Sequence, residues 1–285
     1  MADAADLRTV VEGLAFPEGP RWHDGRLFFS DQHAHQVLAL DPATGAVDEI
    51  VRVEQQPSGL GWTPAGDLLI VSMLDQRLLR LERDGTLAEV ADLSGLSIHN
   101  CNDMVVSADG RAYVGSFGFD LDRGERPRPS NIVAVEPDGT ARVSADDLQF
   151  PNGSVVTPDG RTLIVGETVA GRLTAFTIAA DGSLTDRRLW AQLDGALPDG
   201  ICLDAEGAVW IACPLSRRCL RVREGGEILQ EIATEQGAFA CMLGDDDRRT
   251  LYICTSEMAL NDETVKTRPG RIRATRVAIP GAGLP

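Results

Sequence analysis

The sequence predicts an all-β fold, a six-bladed β-propeller made by the whole chain of 285 residues. Two observations predict it. A segment of two β-rich runs joined by a turn recurs six times, and no stretch keeps the 3.6-residue apolar period of a helix. The recurrence averages about 44 residues, which is typical of a four-stranded propeller blade. Six such periods leave no room for a second domain, so residues 1–285 are expected to form one domain.

Each copy opens with a short turn-like triplet followed by an apolar run. The copies begin at Pro17, Pro57, Cys101, Pro151, Pro198 and Ala238. Within a copy, turns of the Asp-Gly kind separate the two runs, which is typical of a β-hairpin. A second pair of β-rich runs, such as Gln36-Val-Leu-Ala-Leu in the first period, fills the rest of each period. The predicted blade is therefore four antiparallel strands around a central channel.

The two ends of the chain also read as strands. The segment Leu7-Arg-Thr-Val-Val precedes the first copy, and a β-rich run starting at Arg271 follows the last one. The sixth copy lacks one outer strand, and we expect the N-terminal strand to supply it. Such closure would remove the exposed sheet edges of an open ring.

Composition narrows the possible partners and the location. The chain has 27 Lys and Arg residues against 43 Asp and Glu residues, a net charge of −16. Such a chain lacks the positive surface that nucleic acids and anionic membranes require, whereas a bound cation fits it. No apolar run is long enough to span a bilayer. The N-terminus lacks the features of a secretory signal, and the six cysteines form no CxxC pair, so buried thiols and a cytoplasmic location are expected.

The second residue of each opening triplet should face the channel, because the first strand of a propeller blade lines the axis. In chain order these residues are Glu18, Ser58, Asn102, Asn152, Asp199 and Phe239. Two carboxylates and two amides that converge on one axis suit a hard divalent cation, with calcium the first choice and magnesium or manganese possible. Zinc prefers His or Cys ligands. The alternative is that Pro-Asn-Gly and Pro-Asp-Gly are simply favourable turn sequences.

Other catalytic signatures are missing from the sequence. The four histidines form no HExxH pattern, and no GxSxG motif occurs. The Gly59-Leu-Gly61 segment lacks the third glycine of a dinucleotide-binding loop. The ring is therefore the strongest candidate site in the sequence.

Four motifs carry a family resemblance that covers essentially the whole chain. They are Phe-Pro-Glu18-Gly-Pro, Asn102-Asp103 followed by Asp109-Gly-Arg and Gly115-Ser, Pro151-Asn152-Gly153 followed by Pro158-Asp-Gly, and Pro198-Asp199-Gly200. With them the sequence resembles the gluconolactonase, regucalcin (senescence marker protein) and luciferin-regenerating enzyme family, whose members are six-bladed propellers. The resemblance implies hydrolysis of a small-molecule lactone that depends on one divalent metal ion, calcium first and zinc, manganese or magnesium as alternatives.

The resemblance also implies roles for individual residues. Glu18, Asn152 and Asp199 match the family's metal ligands, and Asn102 matches a contact to substrate or water. In the hypothetical mechanism the metal polarises the lactone carbonyl, Asp199 or a metal-bound water supplies the base and nucleophile, and Asn102 with Asn100 orients the ring. Glu18 and Asp199 are therefore the candidate catalytic residues.

Two departures from the family pattern bear on the substrate. Sugar lactonases of the family typically carry Arg two residues before the Asn that matches Asn102, and here that residue is Asn100. Phe119, after the Gly115-Ser motif, and Phe239 in the ring are aromatic. Together they predict a substrate less polar than a sugar lactone, unless both aromatic residues serve only packing.

Three other functions remain open at this point. The ring could serve an isomerase or lyase that acts beside a carbonyl, or a calcium-binding regulatory propeller without catalysis. A scaffold propeller that binds a protein would not need four polar groups on the axis. The sequence makes no prediction of the oligomeric state.

Overall fold

The computed structural model describes residues 7–121, 123–258 and 261–284, with the side chain of Asn261 left undescribed. Within these ranges, 24 strands form six four-stranded antiparallel sheets. The only α-helix among the described residues is α1 (Asn261–Thr267). The predicted six-bladed propeller, with almost no helix, is confirmed.

The first three blades follow one another along the chain after β1 (Arg8–Leu14). Blade 1 contains β2 (Pro17–His23), β3 (Arg26–Asp31), β4 (Gln36–Leu40) and β5 (Val47–Arg52). Blade 2 contains β6 (Pro57–Trp62), β7 (Leu68–Ser72), β8 (Arg77–Leu81) and β9 (Leu87–Asp92). Blade 3 contains β10 (Cys101–Val106), β11 (Ala112–Ser116), β12 (Ser130–Val135) and β13 (Ala141–Leu148).

The last three blades complete the ring. Blade 4 contains β14 (Pro151–Val156), β15 (Thr162–Glu167), β16 (Arg172–Ile178) and β17 (Leu184–Gln192). Blade 5 contains β18 (Ile201–Leu203), β19 (Val209–Cys213), β20 (Arg218–Val222) and β21 (Ile228–Ala233). Blade 6 contains β22 (Gly237–Gly244), β23 (Thr250–Ser256) and β24 (Gly270–Arg276), with β1 as its outermost strand. The first strand of each blade, called the inner strand below, carries the predicted ring residue or, in blade 5, begins two residues after it.

The N-terminal strand closes the propeller as predicted. β1 pairs antiparallel with β24, and the register runs from Arg8 opposite Ala274 to Leu14 opposite Gly270. Blade 6 therefore combines the two ends of the propeller sequence in one sheet. This pairing covers the outer edge of β24, which would otherwise expose unpaired backbone groups.

All the inner strands begin at the same end of the propeller. Pro17 lies opposite Asp31, Pro57 opposite Ser72, and Gly237 opposite Ser256, so each inner strand starts beside the end of the second strand. The loops that follow the second strands, and the connections that lead into the inner strands, therefore share one face. We call it the mouth face. The described segments after the second strands are 32–35, 73–76, 117–121 with 123–129, 168–171, 214–217, and 257–258 with 261–269, the last of which contains α1.

The hydrophobic core lies between neighbouring blades rather than at one centre. Val71 of blade 2 belongs to the same buried cluster as Met104 and Val114 of blade 3. All six cysteines are buried and free, as the apolar runs around them predicted. No helix of the described ranges is long and apolar enough to cross a membrane.

Glycines let the inner strands approach each other backbone to backbone. A Cβ atom added to Gly153 would lie 2.6 Å from the carbonyl oxygen of Asp199 in the next blade, and one on Gly200 would lie 2.7 Å from the Cα of Ala240. A Cβ on Gly19 would lie 2.9 Å from the Ser58 carbonyl oxygen. Real Cβ atoms do not come this close to backbone. The glycine after the ring residue therefore serves close packing and not only a turn.

Blade 3 carries Asp103 where four other copies have this glycine, and the carboxylate has a partner in blade 1. Arg21 Nη2 donates to Asp103 Oδ1 at 2.6 Å, and the backbone N–H of Met104 donates to the same oxygen at 2.8 Å. Arg21 also donates to the carbonyl oxygens of Leu60 and Met104 at 3.0 and 2.6 Å. Arg21 and Asp103 are both buried. The ion pair thus joins the inner strands of the first three blades.

The close approach predicts the effect of an added methyl group. Gly153→Ala should lower the free energy of unfolding by about 1–3 kcal/mol, because the new Cβ meets rigid backbone of blade 5. Gly95→Ala is the matched control, since a Cβ there has no neighbour within 4 Å and no positive φ is recorded. Denaturant unfolding of both variants measures the difference. Equal stability of the two variants would contradict the packing argument.

Candidate functional site

The structure brings the polar ring residues into one hydrogen-bonded arc at the mouth face. Ser58 Oγ donates to Asn102 Oδ1 at 3.3 Å, and Asn102 Nδ2 donates to Asn152 Oδ1 at 3.0 Å. Asn152 Nδ2 in turn donates to Thr168 Oγ1 at 3.2 Å, and Thr168 Oγ1 donates to the Pro198 carbonyl oxygen at 2.7 Å. The arc thus runs from blade 2 to the residue before Asp199. It fixes the orientation of both buried asparagine side chains.

Gln32 extends the arc into blade 1. It lies in a single 3₁₀ turn, Gln32–Ala34, which follows β3 on the mouth face. Its Nε2 donates to Ser58 Oγ at 3.1 Å, and its side chain is buried. The sequence reasoning did not single out Gln32, because it lies outside the opening triplet of any repeat.

Glu18 and Asp199 bring two partly buried carboxylates to the same site. The backbone N–H of Gly19 donates to Glu18 Oε2 at 2.8 Å. Burial raises the pKa of Glu18 to about 8, and the nearby Asp103 carboxylate adds to the rise, while the Gly19 N–H and Arg21 oppose it. Burial also raises the pKa of Asp199 well above its ordinary value. The charges of Glu18 and then Asp103 raise that pKa further.

These two carboxylates have no cationic partner within the described ranges. No Lys, Arg or His side chain there forms an ion pair with Glu18 or Asp199, and the Arg21 guanidinium is paired with Asp103. Burial raises both pKa values, and the Glu18 charge raises that of Asp199 further, because like charges that lose solvent together repel each other. The arrangement is electrostatically unfavourable when both groups are ionised.

The donor set fits a hard divalent cation. No three His, Cys, Asp or Glu residues of the described chain cluster in a way that could hold a metal ion. Here the third donor is an amide: the Asn152 side chain lies close enough to Asp199 to lower the pKa of its carboxyl. Two carboxylates and an amide oxygen match the oxygen ligands of calcium, magnesium and manganese better than those of zinc. Glu18, Asn152 and Asp199 are thus the residues that could hold the ion.

Asn100 lies on the mouth face, in the connection that leads into β10. Its carbonyl oxygen accepts a hydrogen bond from the Phe117 N–H at 3.0 Å, and the residue is partly exposed. A polar side chain therefore stands near Asn102 without the positive charge of an arginine.

Phe119 is almost fully buried, with only 3% exposure. Its ring lies edge-on to Phe150 at 5.8 Å between centroids, and the ring of Phe117 is 4.6 Å from the same Phe150. Phe117 directly follows β11 on the mouth face and is partly exposed. The burial of Phe119 favours a packing role for it and makes Phe117 the more accessible aromatic group.

Phe239, the sixth ring residue, is only 5% exposed, and it packs behind two partly exposed side chains, Phe16 and His33, that the sequence reasoning did not place in the site. The Phe16 ring meets Phe239 edge-on at 4.6 Å, and His33 stacks on Phe16 at 4.5 Å. His33 Nδ1 is hydrogen-bonded to Thr264 Oγ1 of α1 at 2.6 Å. Burial lowers the pKa of His33 to about 4, so the ring is neutral near pH 7. We call Phe16, His33 and Phe239 the aromatic wall.

Asp31 holds Phe16 in place. Its buried carboxylate accepts hydrogen bonds from the backbone N–H groups of Ala15 at 3.0 Å and Phe16 at 2.6 Å. A sequence signal for Phe16 existed, since Phe16-Pro-Glu-Gly and Phe150-Pro-Asn-Gly repeat the same four-residue pattern. Both phenylalanines reappear in aromatic clusters on the mouth face.

Comparison with known proteins places the chain in a family. Residues 16–257 match the family model described as the SMP-30/Gluconolactonase/LRE-like region. A 6-deoxy-6-sulfogluconolactonase of Pseudomonas putida is 27% identical over 98% of this chain and 97% of its own length. A gluconolactonase structure from Xanthomonas campestris has 25% identity and a TM-score of 0.78, covering 98% of this chain and 89% of its own.

A third similar protein is named for calcium rather than for a lactone. The structure of the calcium-binding protein regucalcin from Agrobacterium tumefaciens is 20% identical, with a TM-score of 0.81 over 98% of this chain and 96% of its own. It agrees with this chain in fold. The family model itself covers far more than half of the sequence, with the Glu18, Asn102, Asn152 and Asp199 positions inside it. The chain therefore belongs to the SMP-30/gluconolactonase/LRE-like family.

Proposed function

We propose that this protein hydrolyses a lactone at the mouth of its channel, with a divalent cation held by Glu18, Asn152 and Asp199. The observation that carries the proposal is the pair of carboxylates whose pKa values are raised by burial and by neighbouring negative charges, without a cationic partner in the described chain. A divalent cation would neutralise the pair. The lactonases among the similar proteins support the reaction class.

Calcium is the cation we propose first. Hard oxygen donors from carboxylates and an amide suit calcium, and magnesium and manganese accept the same donor types. Zinc remains the least suited to a site without His or Cys ligands. The name of the calcium-binding relative agrees with this order. When bound, the ion supplies Lewis-acid polarisation of the lactone carbonyl.

The chain's own residues supply the proton transfer and the positioning. Asp199 accepts a proton as water attacks the lactone carbonyl, and the ring C–O bond then breaks to give a hydroxy acid. Asp199 returns its proton to the released alkoxide oxygen, which becomes the hydroxyl group. Asn102, which the arc of hydrogen bonds holds in one orientation, and Asn100 orient the lactone. Glu18 is held by the Gly19 N–H and binds the cation.

A calcium-binding regulatory propeller without catalysis is the second candidate. The calcium-binding relative favours it, and the same three residues would hold the ion. Only catalysis separates the two functions, so activity measurements on a lactone panel with and without EDTA decide between them.

Replacing the proposed base should abolish activity without unfolding the protein. Asp199→Asn should lower kcat on lactones by at least about 100-fold, because it removes both the base and a cation ligand. Its thermal stability in EDTA should not fall, since the substitution removes one of two repelling charges. Titration of released acid and circular dichroism measure the two effects.

A surface carboxylate provides the control for this substitution. Asp24 has 88% of its side chain exposed, so Asp24→Asn should keep full activity. Full activity of Asp199→Asn, or undiminished activity of the native protein in EDTA, would refute the proposed mechanism.

Proton binding at Glu18 should make the stability of the protein depend on pH. The pKa of Glu18 is about 8 in the fold against 4.5 ordinarily, so the folded state keeps a proton that the unfolded chain releases. The stability from this group is therefore complete below about pH 4.5 and is lost as the pH rises toward 8. The full shift would correspond to about 3 kcal/mol between pH 5 and pH 8, and solvent screening of the partly exposed carboxylate reduces it. In EDTA, the native protein should therefore lose about 1–2 kcal/mol relative to Glu18→Gln over this range.

Calcium should reverse this loss in the native protein. Millimolar calcium at pH 8 should raise the denaturation midpoint of the native protein, since binding to the folded state alone stabilises it. It should stabilise the Glu18→Gln variant much less. A stability difference that does not change with pH, or equal stabilisation of both proteins by calcium, would argue against the site.

A further inference from the structure

The mouth face carries apolar side chains at a position that recurs from blade to blade. The position is the second residue after the second strand, and in blade order its residues are His33, Leu74, Gly118, Val169, Leu215 and Met258. Four of these are large hydrophobic residues exposed to solvent: Leu74 at 41%, Val169 at 39%, Leu215 at 66% and Met258 at 65%. We call these four residues the rim. Blades 2, 4, 5 and 6 contribute one each.

Exposed hydrophobic residues are unevenly distributed over the described chain. Besides the rim, Ile98, Leu121 and Val265 are exposed, and all three lie in loops or in α1 on the mouth face. The other large hydrophobic residues that are exposed lie on outermost strands: Val47, Val143, Leu189 and Ile228. Among the described residues, no large hydrophobic side chain is exposed in the loops of the opposite face. Seven of the eleven exposed large hydrophobic residues that the structure describes thus lie on the mouth face, where an apolar group could meet them.

In blade 1, the residue at the recurring position is connected to the ring residues through Phe16. His33 occupies it there and stacks on Phe16, whose ring contacts the ring residue Phe239. Its neighbour Gln32 donates to Ser58 of the polar arc. The aromatic wall therefore connects the level of the loops to the level of the carboxylates. Since His33 is neutral near pH 7, the wall carries no charge there.

A second aromatic cluster stands across the channel. Phe117 and Phe150 belong to blade 3 and to the connection into blade 4, whereas the aromatic wall belongs to blades 1 and 6. In a six-membered ring, blades 1 and 4 are opposite each other, as are blades 6 and 3. An apolar group that enters between them can contact aromatic side chains on two sides.

We infer that the lactone taken by this site carries an apolar substituent of several carbons, which the aromatic wall and the rim contact while the lactone ring lies at the carboxylates. The inference rests on the proposed function. The aromatic wall connects the loops of the mouth face to the ring residues, so an occupant that reaches both is part of the substrate. The net charge of −16 disfavours an anionic membrane as the occupant. Asn100 offers no positive charge to a polar or acidic lactone.

The test compares lactones of one ring size. The native protein with calcium is assayed on δ-valerolactone, δ-hexalactone, δ-octalactone, δ-decalactone and δ-gluconolactone. Burial of each added methylene should raise kcat/KM by about two- to fourfold until the substituent passes the rim. The polyhydroxylated δ-gluconolactone should be the poorest substrate. A flat series, or a preference for δ-gluconolactone, overturns the inference.

Variants of the rim test whether its residues cause the preference for lactones with long substituents. The double variant Leu74→Gln with Leu215→Gln changes two exposed side chains from opposite blades, so its fold should be retained. The ratio of kcat/KM for δ-decalactone to that for δ-valerolactone should fall by about fivefold or more. Leu189→Gln is the matched control, because Leu189 is 59% exposed on the outermost strand of blade 4. An unchanged ratio in the double variant overturns the inference.

The possible outcomes distinguish a failure of this inference from a failure of the proposed function. If no lactone is hydrolysed, the proposed function fails and the inference falls with it. If EDTA-sensitive hydrolysis is present but favours δ-gluconolactone, the function stands and only the inference fails. Size-exclusion chromatography adds one more outcome: a rim variant that changes the oligomeric state but not the substrate ratio identifies the rim as an interface and overturns the inference.

Discussion

The close approach of the six inner strands around the axis is the constraint on which the rest of the structure depends. Where a glycine follows the ring residue, a Cβ would collide with the backbone of the next blade, as at Gly19, Gly153 and Gly200. This packing holds the inner strands so close that the side chains just before the glycines share one small space. The convergence of Glu18, Asn152 and Asp199 from distant parts of the chain follows from it. The backbone packing of the inner strands therefore determines where the side chains of the site lie.

The same packing determines the electrostatics of the site. Asp103 replaces the glycine in blade 3, and Arg21 neutralises it in a buried ion pair that also satisfies two carbonyl oxygens. The arginine nearest to the ring is thereby occupied, and Glu18 and Asp199 keep their repulsion. Breaking a buried pair of this kind generally costs several kcal/mol, so Arg21 is not free to turn toward the ring. The fold thus retains two carboxylates that no cationic side chain of the described ranges neutralises, and that hold a proton more readily than ordinary carboxylates do.

The features that recur in every blade could be predicted from the sequence. Six copies of one hairpin determined the blade count, and the missing strand of the sixth copy indicated closure by β1. The ring residues followed from one position in each copy. Contacts that do not recur from blade to blade could not be predicted in this way: Arg21 and Asp103 lie 82 residues apart, and His33 reaches Thr264 across 231 residues. Arg21 and Asp103 lie on inner strands, but the other copies carry different residues at their positions, and Thr264 lies in α1 between two strands of blade 6. The partners of such residues become evident only once the ring is closed.

The net negative charge of the chain bears on substrate entry and product release at the mouth. The proposed reaction converts a neutral lactone into a hydroxy acid, which ionises at neutral pH. A protein of net charge −16 does not oppose entry of the neutral substrate, but it repels the carboxylate product. Within the site, Glu18 and Asp199 would balance a divalent cation and leave no excess positive charge to hold that product. An apolar mouth and an acidic protein therefore act in the same direction, because the first favours the uncharged reactant and the second favours release of the anion.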